Sequence, residues 1–192
     1  MNGPALLKSR RRGAAAVEFA LAFPLILFIM IGLWEVGRIV EVNQVMWNSA
    51  REAARDASLG QDNLLTVANN LLTYLQSAEP KAFGQGHQTS MVNPTTVGIT
   101  LPANTTGYTC WDTTANRELF TVTFTDQTTT TNTDPTQMAQ LDLYQIGVQV
   151  PYSSIGWTAT PLITGMSRIN VAVTWASMVD SPFAIAPYLP AQ

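Results

Sequence analysis

Residues 14–34 of this chain read AAAVEFALAFPLILFIMIGLW, and this stretch decides how the rest of the protein is arranged. As a helix that rises roughly 1.5 Å per residue, it spans about 31 Å, which matches the hydrocarbon thickness of a bilayer. Glu18 is its one ionisable residue, and Pro24 is expected to kink the helix modestly. A buried core helix is the alternative, but such helices usually carry polar residues at helical spacing. We therefore predict a transmembrane helix.

The charges on either side of this stretch predict its orientation. Lys8, Arg10, Arg11 and Arg12 precede it and make up four of the ten basic residues, whereas the charges that follow are mixed in sign. By the positive-inside rule, the N-terminus stays in the cytoplasm and everything after about Trp34 is exported. The apolar run is longer than that of a cleaved secretory signal, and no small-residue cleavage site follows it. We therefore expect the anchor to be retained.

The overall composition limits the classes of partner and site. With 192 residues, the chain is long enough for one domain and an anchor. Its net charge of -3 argues against nucleic acid as a partner, because phosphate binding requires a basic face. Cys110 is the single cysteine, which excludes an intrachain disulfide and any multi-cysteine metal site.

Helical periodicity continues after Trp34 and predicts a stalk that prolongs the membrane helix. Glu35 is expected on its polar face, in an ion pair with Arg38. Gly60 is a candidate C-cap, after which residues 61–77 predict a second amphipathic helix. The apolar stalk positions are Val36, Ile39, Val40, Met46, Trp47, Ala50, Ala53, Ala54 and Ala57.

The pattern then changes from helical to alternating, which predicts strands. In the last three segments one face is apolar and the other polar, as in an antiparallel sheet that is covered by helix on one side and wet on the other. The predicted class is therefore α+β, with the stalk helix packed on a small sheet. Residues 126–135 are expected to form a mobile loop. The four predicted strands are Thr96–Leu101, Leu119–Thr125, Leu143–Val150 and Arg168–Trp175.

These patterns divide the chain into four regions. Residues 1–13 are a basic cytoplasmic leader, and residues 14–34 are the transmembrane helix. Residues 35–58 continue that helix outside the cytoplasm, and residues 59–192 form an extracytoplasmic α+β domain.

Residues 10–60 read RRRGAAAVEFALAFPLILFIMIGLWEVGRIVEVNQVMWNSAREAARDASLG. This stretch resembles the N-terminal region of TadE-like proteins, which are minor pilins or pseudopilins of tight-adherence (Tad, type IVc) pili. Three features carry the resemblance: a basic leader ending at Gly13, a glutamate five residues later at Glu18, and the A-R-E-A-A-R block at residues 50–55.

The resemblance implies specific roles for the first of these residues. A prepilin peptidase is expected to cut between Gly13 and Ala14 on the cytoplasmic side and to leave the apolar helix in place. Glu18 is then expected to pair with the new α-amino group of a neighbouring subunit's Ala14, which sets the axial register during assembly. The alternative for Glu18 is a carboxylate near the positive end of a helix dipole that stays wet at the membrane surface.

The exported region offers little that indicates catalysis. His87 and Cys110 lie in no known local signature, so we predict no catalytic residue, no cofactor and no metal site. Asp126, Asn132 and Asp134 carry oxygens that suit calcium, but their spacing does not match an EF-hand, and a solvated loop is the simpler interpretation. Tyr108 and Trp111 could stack on a sugar, although such aromatic residues more often pack inside a protein.

Two classes of function follow. The first is a structural or assembly component of a Tad-type pilus in the bacterial cytoplasmic membrane, with other pilin or pseudopilin subunits, the assembly machinery and prepilin peptidase as partners. The second is an unprocessed, signal-anchored extracytoplasmic binding module, for example for polysaccharide.

Overall fold

The computed structural model describes residues 5–155 and 167–179. Within these ranges, the exposure of the residue is described for Gly13 and from Ala15 onward. Two long helices precede a sheet of five strands. The order of elements is α1 (Ala5–Ser58), α2 (Leu64–Ala78), β1 (Thr89–Val92), a 3₁₀ turn (Pro94–Val97), β2 (Thr105–Asp112), β3 (Arg117–Asp126), a second 3₁₀ turn (Pro135–Gln137), β4 (Leu143–Pro151), α3 (Tyr152–Ile155) and β5 (Arg168–Ala176).

The five strands form one antiparallel sheet in which sequence neighbours are also spatial neighbours, in the order β1-β2-β3-β4-β5. The apolar positions of the central strands face one another across the sheet, since Val122 is opposite Val148 and Ile146 is opposite Val173. These residues are buried. A long helix followed by this sheet confirms the predicted α+β class.

The hydrophobic core lies between the two long helices and one face of the sheet. Leu64, Val67, Leu71 and Leu75 are the principal buried residues that α2 contributes, at the spacing of one helix face. On the sheet, Phe124 stacks on Tyr144 with ring centroids 5.6 Å apart, and both side chains are fully buried. The buried residues of α1 begin at Glu35 and continue with Val42, Met46, Ser49, Ala50, Ala53, Ala54, Ala57 and Ser58.

The first predicted strand, Thr96–Leu101, is wrong. Asn93 Oδ1 instead accepts a hydrogen bond from Thr95 N at 3.0 Å, and Pro94 opens a 3₁₀ turn that ends at Gly98. Gly98 has a φ of +79°, in the left-handed region that stops the turn. The sheet begins elsewhere, with β1 and β2, which the sequence analysis did not predict. Strands β3, β4 and β5 confirm the other three predictions to within a few residues.

The face of β3 away from the helices is less wet than predicted. Thr121 is fully buried and shares a hydrogen bond of 2.9 Å with Thr109 on the neighbouring strand. Thr123 is also buried, and its hydroxyl donates to Gly147 O. The threonine hydroxyl groups on this face therefore make their hydrogen bonds to protein atoms and not to water. An alternating pattern of apolar and polar residues does not distinguish such a buried polar face from an exposed one.

Candidate functional site

The predicted cleavage junction lies inside a helix. Helix α1 runs without a break from Ala5 to Ser58, through Gly13, Ala14 and Pro24. Gly13 is exposed, and a Cβ atom built on it meets no atom within 4 Å. The junction is therefore not marked by a helix end, but residue 13 has room for a larger side chain. The side chains of the predicted topogenic residues Lys8, Arg10, Arg11 and Arg12, and that of Ala14, lie outside the described part of the chain.

Glu18 lies one helical turn beyond Ala14, at the i, i+4 spacing that puts two residues on the same face. The rise between the two is about 6 Å. Glu18 is exposed on the helix surface. Its carboxylate can therefore reach a group on another molecule, and no part of the folded domain covers it in the described residues.

The anchor segment is exposed as well as apolar. The most hydrophobic 18-residue window of α1 has a mean hydropathy of 2.4, and none of it is buried. Large side chains point outward along its length, for example Leu21, Phe28 and Trp34, with Leu21 76% exposed. A core helix of a water-soluble protein would bury such a surface, so the buried-helix alternative does not fit. One apolar N-terminal helix of this kind indicates membrane anchoring.

The A-R-E-A-A-R block is the part of the stalk that packs against the sheet. Its alanines, Ala50, Ala53 and Ala54, are buried, while Arg51 and Arg55 are exposed. Small side chains allow a helix to approach its neighbour closely. The hydroxyl of Tyr144 on β4 donates a hydrogen bond to the carbonyl oxygen of Ala54, which fixes this approach.

Arg38 fastens the stalk to the rest of the domain just beyond the anchor. Its Nη1 and Nη2 donate to the two carboxylate oxygens of Glu79 at 3.0 and 2.9 Å, and Nη1 also lies 2.9 Å from Glu41. Hydrogen bonding to Glu79 raises the pKa of Arg38, despite partial burial. The sequence analysis paired Arg38 with Glu35 and put Glu35 on the polar face. Glu35 is instead only 2% exposed, and nothing in the local pattern points to Glu79, 41 residues away.

His87 and Cys110 do not look like a reactive pair. Cys110 is fully buried in β2, and burial together with the nearby Asp112 carboxylate raises the pKa of its thiol to about 12. A thiol with such a pKa is not a nucleophile near neutral pH. The Nδ1 atom of His87 lies 2.7 Å from Asp112 Oδ2, so the histidine ring is a hydrogen-bond partner of Asp112.

Asp112 is a structural carboxylate that the sequence analysis did not single out. It is fully buried, and burial by itself raises its pKa. Hydrogen bonds from His87, Ala115 N and Thr114 N outweigh this effect and keep the pKa below its usual value. The local signal in the sequence is an Asp at the start of a short polar turn, a position where its side chain typically accepts hydrogen bonds from the N–H groups two and three residues later.

The acidic loop that was considered for calcium uses its oxygens internally. Burial by itself raises the pKa of Asp126, but hydrogen bonds from the Thr129 hydroxyl and from Thr128 N, Thr129 N and Asn132 N hold this pKa well below its ordinary value. Asp134 accepts from Leu64 N at 3.0 Å, at the start of α2. The described residues contain no group of three or more His, Cys, Asp or Glu side chains placed to hold a metal ion.

Tyr108 and Trp111 were considered as a platform for a sugar ring. Tyr108 is partly buried and packs against the hydrophobic core. Trp111 is opposite Ser90 on β1 and Glu118 on β3, next to an irregularity in the β2 register. Packing against the core accounts for Tyr108, and Trp111 is half-buried in β2.

Comparison with known proteins identifies one relationship. A family model described as TadE-like protein matches residues 13–55. The match begins at Gly13 and ends with the A-R-E-A-A-R block, so it lies entirely within α1. The chain gives no match among the curated proteins or the solved structures that were searched. The resemblance of the N-terminal helix to TadE-like proteins is therefore confirmed.

Proposed function

We propose that this protein is a minor pilin or pseudopilin of a Tad-type pilus, anchored in the bacterial cytoplasmic membrane with its α+β domain outside the cytoplasm. The TadE-like match indicates a protein related to Tad pili, and the assignment as a structural or assembly subunit goes beyond it. Its partners are then prepilin peptidase, other pilin or pseudopilin subunits and the pilus assembly machinery.

One observation carries the proposal: the TadE-like segment coincides with a single helix that has two different halves. The first half exposes apolar side chains over the length of a membrane span. The second half buries its alanines against the sheet. A subunit that is stored in a membrane and then packs its helix among other helices needs this division, because the exposed half must be apolar in both environments.

The roles of individual residues follow from the proposed function. Prepilin peptidase cuts after Gly13 and leaves a free α-amino group on Ala14. In the assembled state, the carboxylate of Glu18 pairs with that group on a neighbouring subunit. An ionisable side chain in an apolar helix is costly, and a paired amine recovers much of the cost.

The cleavage step is tested by Gly13→Leu in the cells that make the pilus, with N-terminal sequencing of the mature chain. Wild-type protein is expected to begin at Ala14, and the variant to accumulate as an uncleaved precursor. Because a Cβ atom at residue 13 meets no atom within 4 Å, we expect the substitution to leave the fold intact. Gly37→Leu, at another exposed glycine of α1 with an equally open Cβ position, is the matched control and should be cleaved normally.

An intact chain, or one cut after Trp34 by signal peptidase, contradicts the pilin assignment. An intact chain is what the signal-anchored binding module requires. That second function is not favoured, because the TadE-like match indicates a protein related to Tad pili and because Tyr108, one of the two aromatic residues that suggested a sugar platform, packs against the core.

A further inference from the structure

A cavity of about 830 Å³ lies where the domain meets the anchor helix. Trp34, Gly37 and Arg38 of α1 line one side of it, and Lys81, Arg117 and Ser154 line the other. These six residues come from the stalk, from the loop after α2, from the start of β3 and from α3. The cavity is therefore built by the ends of several elements at the anchor-proximal end of the domain. Its volume lies within the usual range of small-molecule sites.

The height of the cavity matches the lipid headgroup layer. Trp34 closes the apolar span and is 70% exposed, as expected of a tryptophan at a membrane interface. Along a helix perpendicular to the bilayer, Gly37 lies about 4.5 Å and Arg38 about 6 Å beyond Trp34. The headgroup layer of each leaflet is about 5 to 7 Å thick. The residues of α1 that line the cavity therefore lie at the depth of the headgroups.

The charges that line the cavity favour an anion. Three cations, Arg38, Lys81 and Arg117, line it against one carboxylate, Glu41. Arg38 already forms salt bridges with Glu79 and Glu41. Lys81 is exposed and makes no ion pair with any described residue.

Arg117 is only weakly bound by the protein. Its Nη1 and Nη2 atoms donate to the carbonyl oxygens of Ser154 and Ala82 at 3.4 and 3.5 Å, near the limit of a hydrogen bond. Its Nε atom is buried and makes no hydrogen bond among the described residues, with Asp112 Oδ2 3.8 Å away. A planar guanidinium that lacks a good acceptor is suited to phosphate.

We propose that this cavity binds the phosphate of a phospholipid headgroup from the adjacent leaflet, with Lys81 and Arg117 as its ligands and Trp34 against the glycerol region. Arg38 holds the wall in place through Glu79 and does not serve as a ligand. The inference requires only the membrane anchor, so it does not depend on cleavage or on pilus assembly. An anionic headgroup such as phosphatidylglycerol is preferred over a zwitterionic one, because its phosphate carries no compensating amine.

The test uses the full chain in nanodiscs of phosphatidylglycerol mixed with phosphatidylcholine, followed by gentle release into detergent and native mass spectrometry of the retained lipid. Wild type is expected to retain phosphatidylglycerol in preference to phosphatidylcholine. Lys81→Gln and Arg117→Gln should each weaken that retention about tenfold, since each removes a charge-assisted contact. Arg51→Gln removes an exposed charge farther along α1 and should retain lipid as wild type does.

Equal retention of the two lipids by wild type overturns the proposal, as does unchanged retention in Lys81→Gln. The Lys81 variant decides the matter even if Arg117→Gln folds poorly, because Lys81 has no partner in the described domain that its loss would disturb. A third arm adds inorganic phosphate to lipid-free protein in detergent. Thermal stabilisation by phosphate that is lost in the Lys81 variant, without lipid preference in the nanodiscs, assigns the site to free phosphate and not to lipid.

Discussion

Glu18 is an exposed carboxylate on a helix whose surface is otherwise apolar at this level, so its surroundings determine whether its charge is tolerated. At the membrane surface, water can solvate it, whereas the N-terminus of α1 at Ala5 is more than three turns away and too far to do so. Among packed helices, an unpaired carboxylate costs several kcal/mol, and an amine a few ångströms away offsets much of that cost. In the proposed function, the charge of Glu18 therefore matters most once the helix packs among the helices of other subunits.

We expect Glu18→Gln to insert, fold and be cleaved almost as wild type, because glutamine keeps the shape and removes only the charge. Pilus yield and surface attachment should fall sharply, since the proposed partner of the Ala14 amine is lost. The measurement is the amount of cleaved protein compared with the amount of sheared pili, in cells carrying only the variant. Normal pili in that strain would leave Glu18 as a tolerated carboxylate with no role in assembly.

Asp126 gives a prediction about pH. Its pKa in the folded protein is well below 3.8, the ordinary value, so the unfolded chain takes up the proton first as the pH falls. The stabilisation is therefore fully present above pH 3.8 and is lost as the pH falls below it. Asp126→Asn takes an acceptor away from several N–H and O–H groups and should lower the free energy of unfolding by about 2 kcal/mol at neutral pH.

The measurement for Asp126→Asn is urea unfolding of the detergent-solubilised chain, followed by tryptophan fluorescence from pH 7 down to pH 3. The variant should lose less stability than wild type over the acid end of this range. Asp62→Asn makes the same charge change just before α2, where the carboxylate makes no hydrogen bond with a described residue, and should shift stability by no more than about 0.5 kcal/mol. Equal acid slopes in wild type and Asp126→Asn would show that the loop carboxylate does not carry this effect.

Helix α1 is the element whose sequence and structure agree best, and the reason is its composition. The alanines of the A-R-E-A-A-R block occur at helical spacing, so the buried face could be predicted to within one position. The exception is instructive: Val36, Val40 and Trp47 are exposed, and Glu35 is buried. The hydrophobic pattern predicts that α1 has an apolar stripe. Which residues are buried also depends on the rotation of the helix about its own axis, and the position of the sheet that covers the helix determines this rotation.

The strands show which parts of the sheet the local sequence pattern predicts and which parts it does not. Three of the four predicted strands exist because their apolar residues alternate over seven or more positions. Strands β1 and β2 were missed because β1 has four residues and β2 carries a glycine and several threonines. Gly107 is required by the partner strand, since a Cβ atom there would lie 2.5 Å from Val122 O. The requirement for glycine therefore depends on a residue that is distant in sequence. The contacts between Arg38 and Glu79 are also between residues that are distant in sequence, so a local pattern predicts neither feature.

The contact between stalk and sheet gives a prediction at the level of elements. Ala54→Leu adds a large side chain to a fully buried position whose carbonyl oxygen accepts from Tyr144. We expect this overpacking to lower the free energy of unfolding by about 1 to 3 kcal/mol, as measured by thermal or urea unfolding in detergent. Asn48→Leu adds the same side chain at an exposed position of α1 and should change it by no more than about 0.5 kcal/mol. If Ala54→Leu were equally mild, the stalk would not pack closely on the sheet.

At the scale of the whole molecule, the described residues form an apolar anchor and a folded domain that are joined by one continuous helix. Because α1 both leaves the membrane span and supplies one wall of the core, the domain has a defined anchor-proximal end, formed by Arg38, Glu79, Arg117 and α3. The opposite end carries the loop around Asp126 and the start of α2. Which side of the membrane holds this domain is a separate question, which depends on the charges before the anchor and not on the fold.

The orientation prediction rests on the concentration of Lys8, Arg10, Arg11 and Arg12 before the anchor, which favours a cytoplasmic N-terminus. A C-terminal alkaline phosphatase fusion should therefore be active, and a C-terminal fluorescent protein that folds only in the cytoplasm should be dark. Replacing those four basic residues with glutamine removes the bias, so phosphatase activity per fusion protein should fall and fluorescence should appear. Glutamine in place of Arg51 and Arg55, which lie well beyond the anchor, should change neither signal. A bright and phosphatase-inactive wild type would place the domain in the cytoplasm, where pilus assembly could not use it.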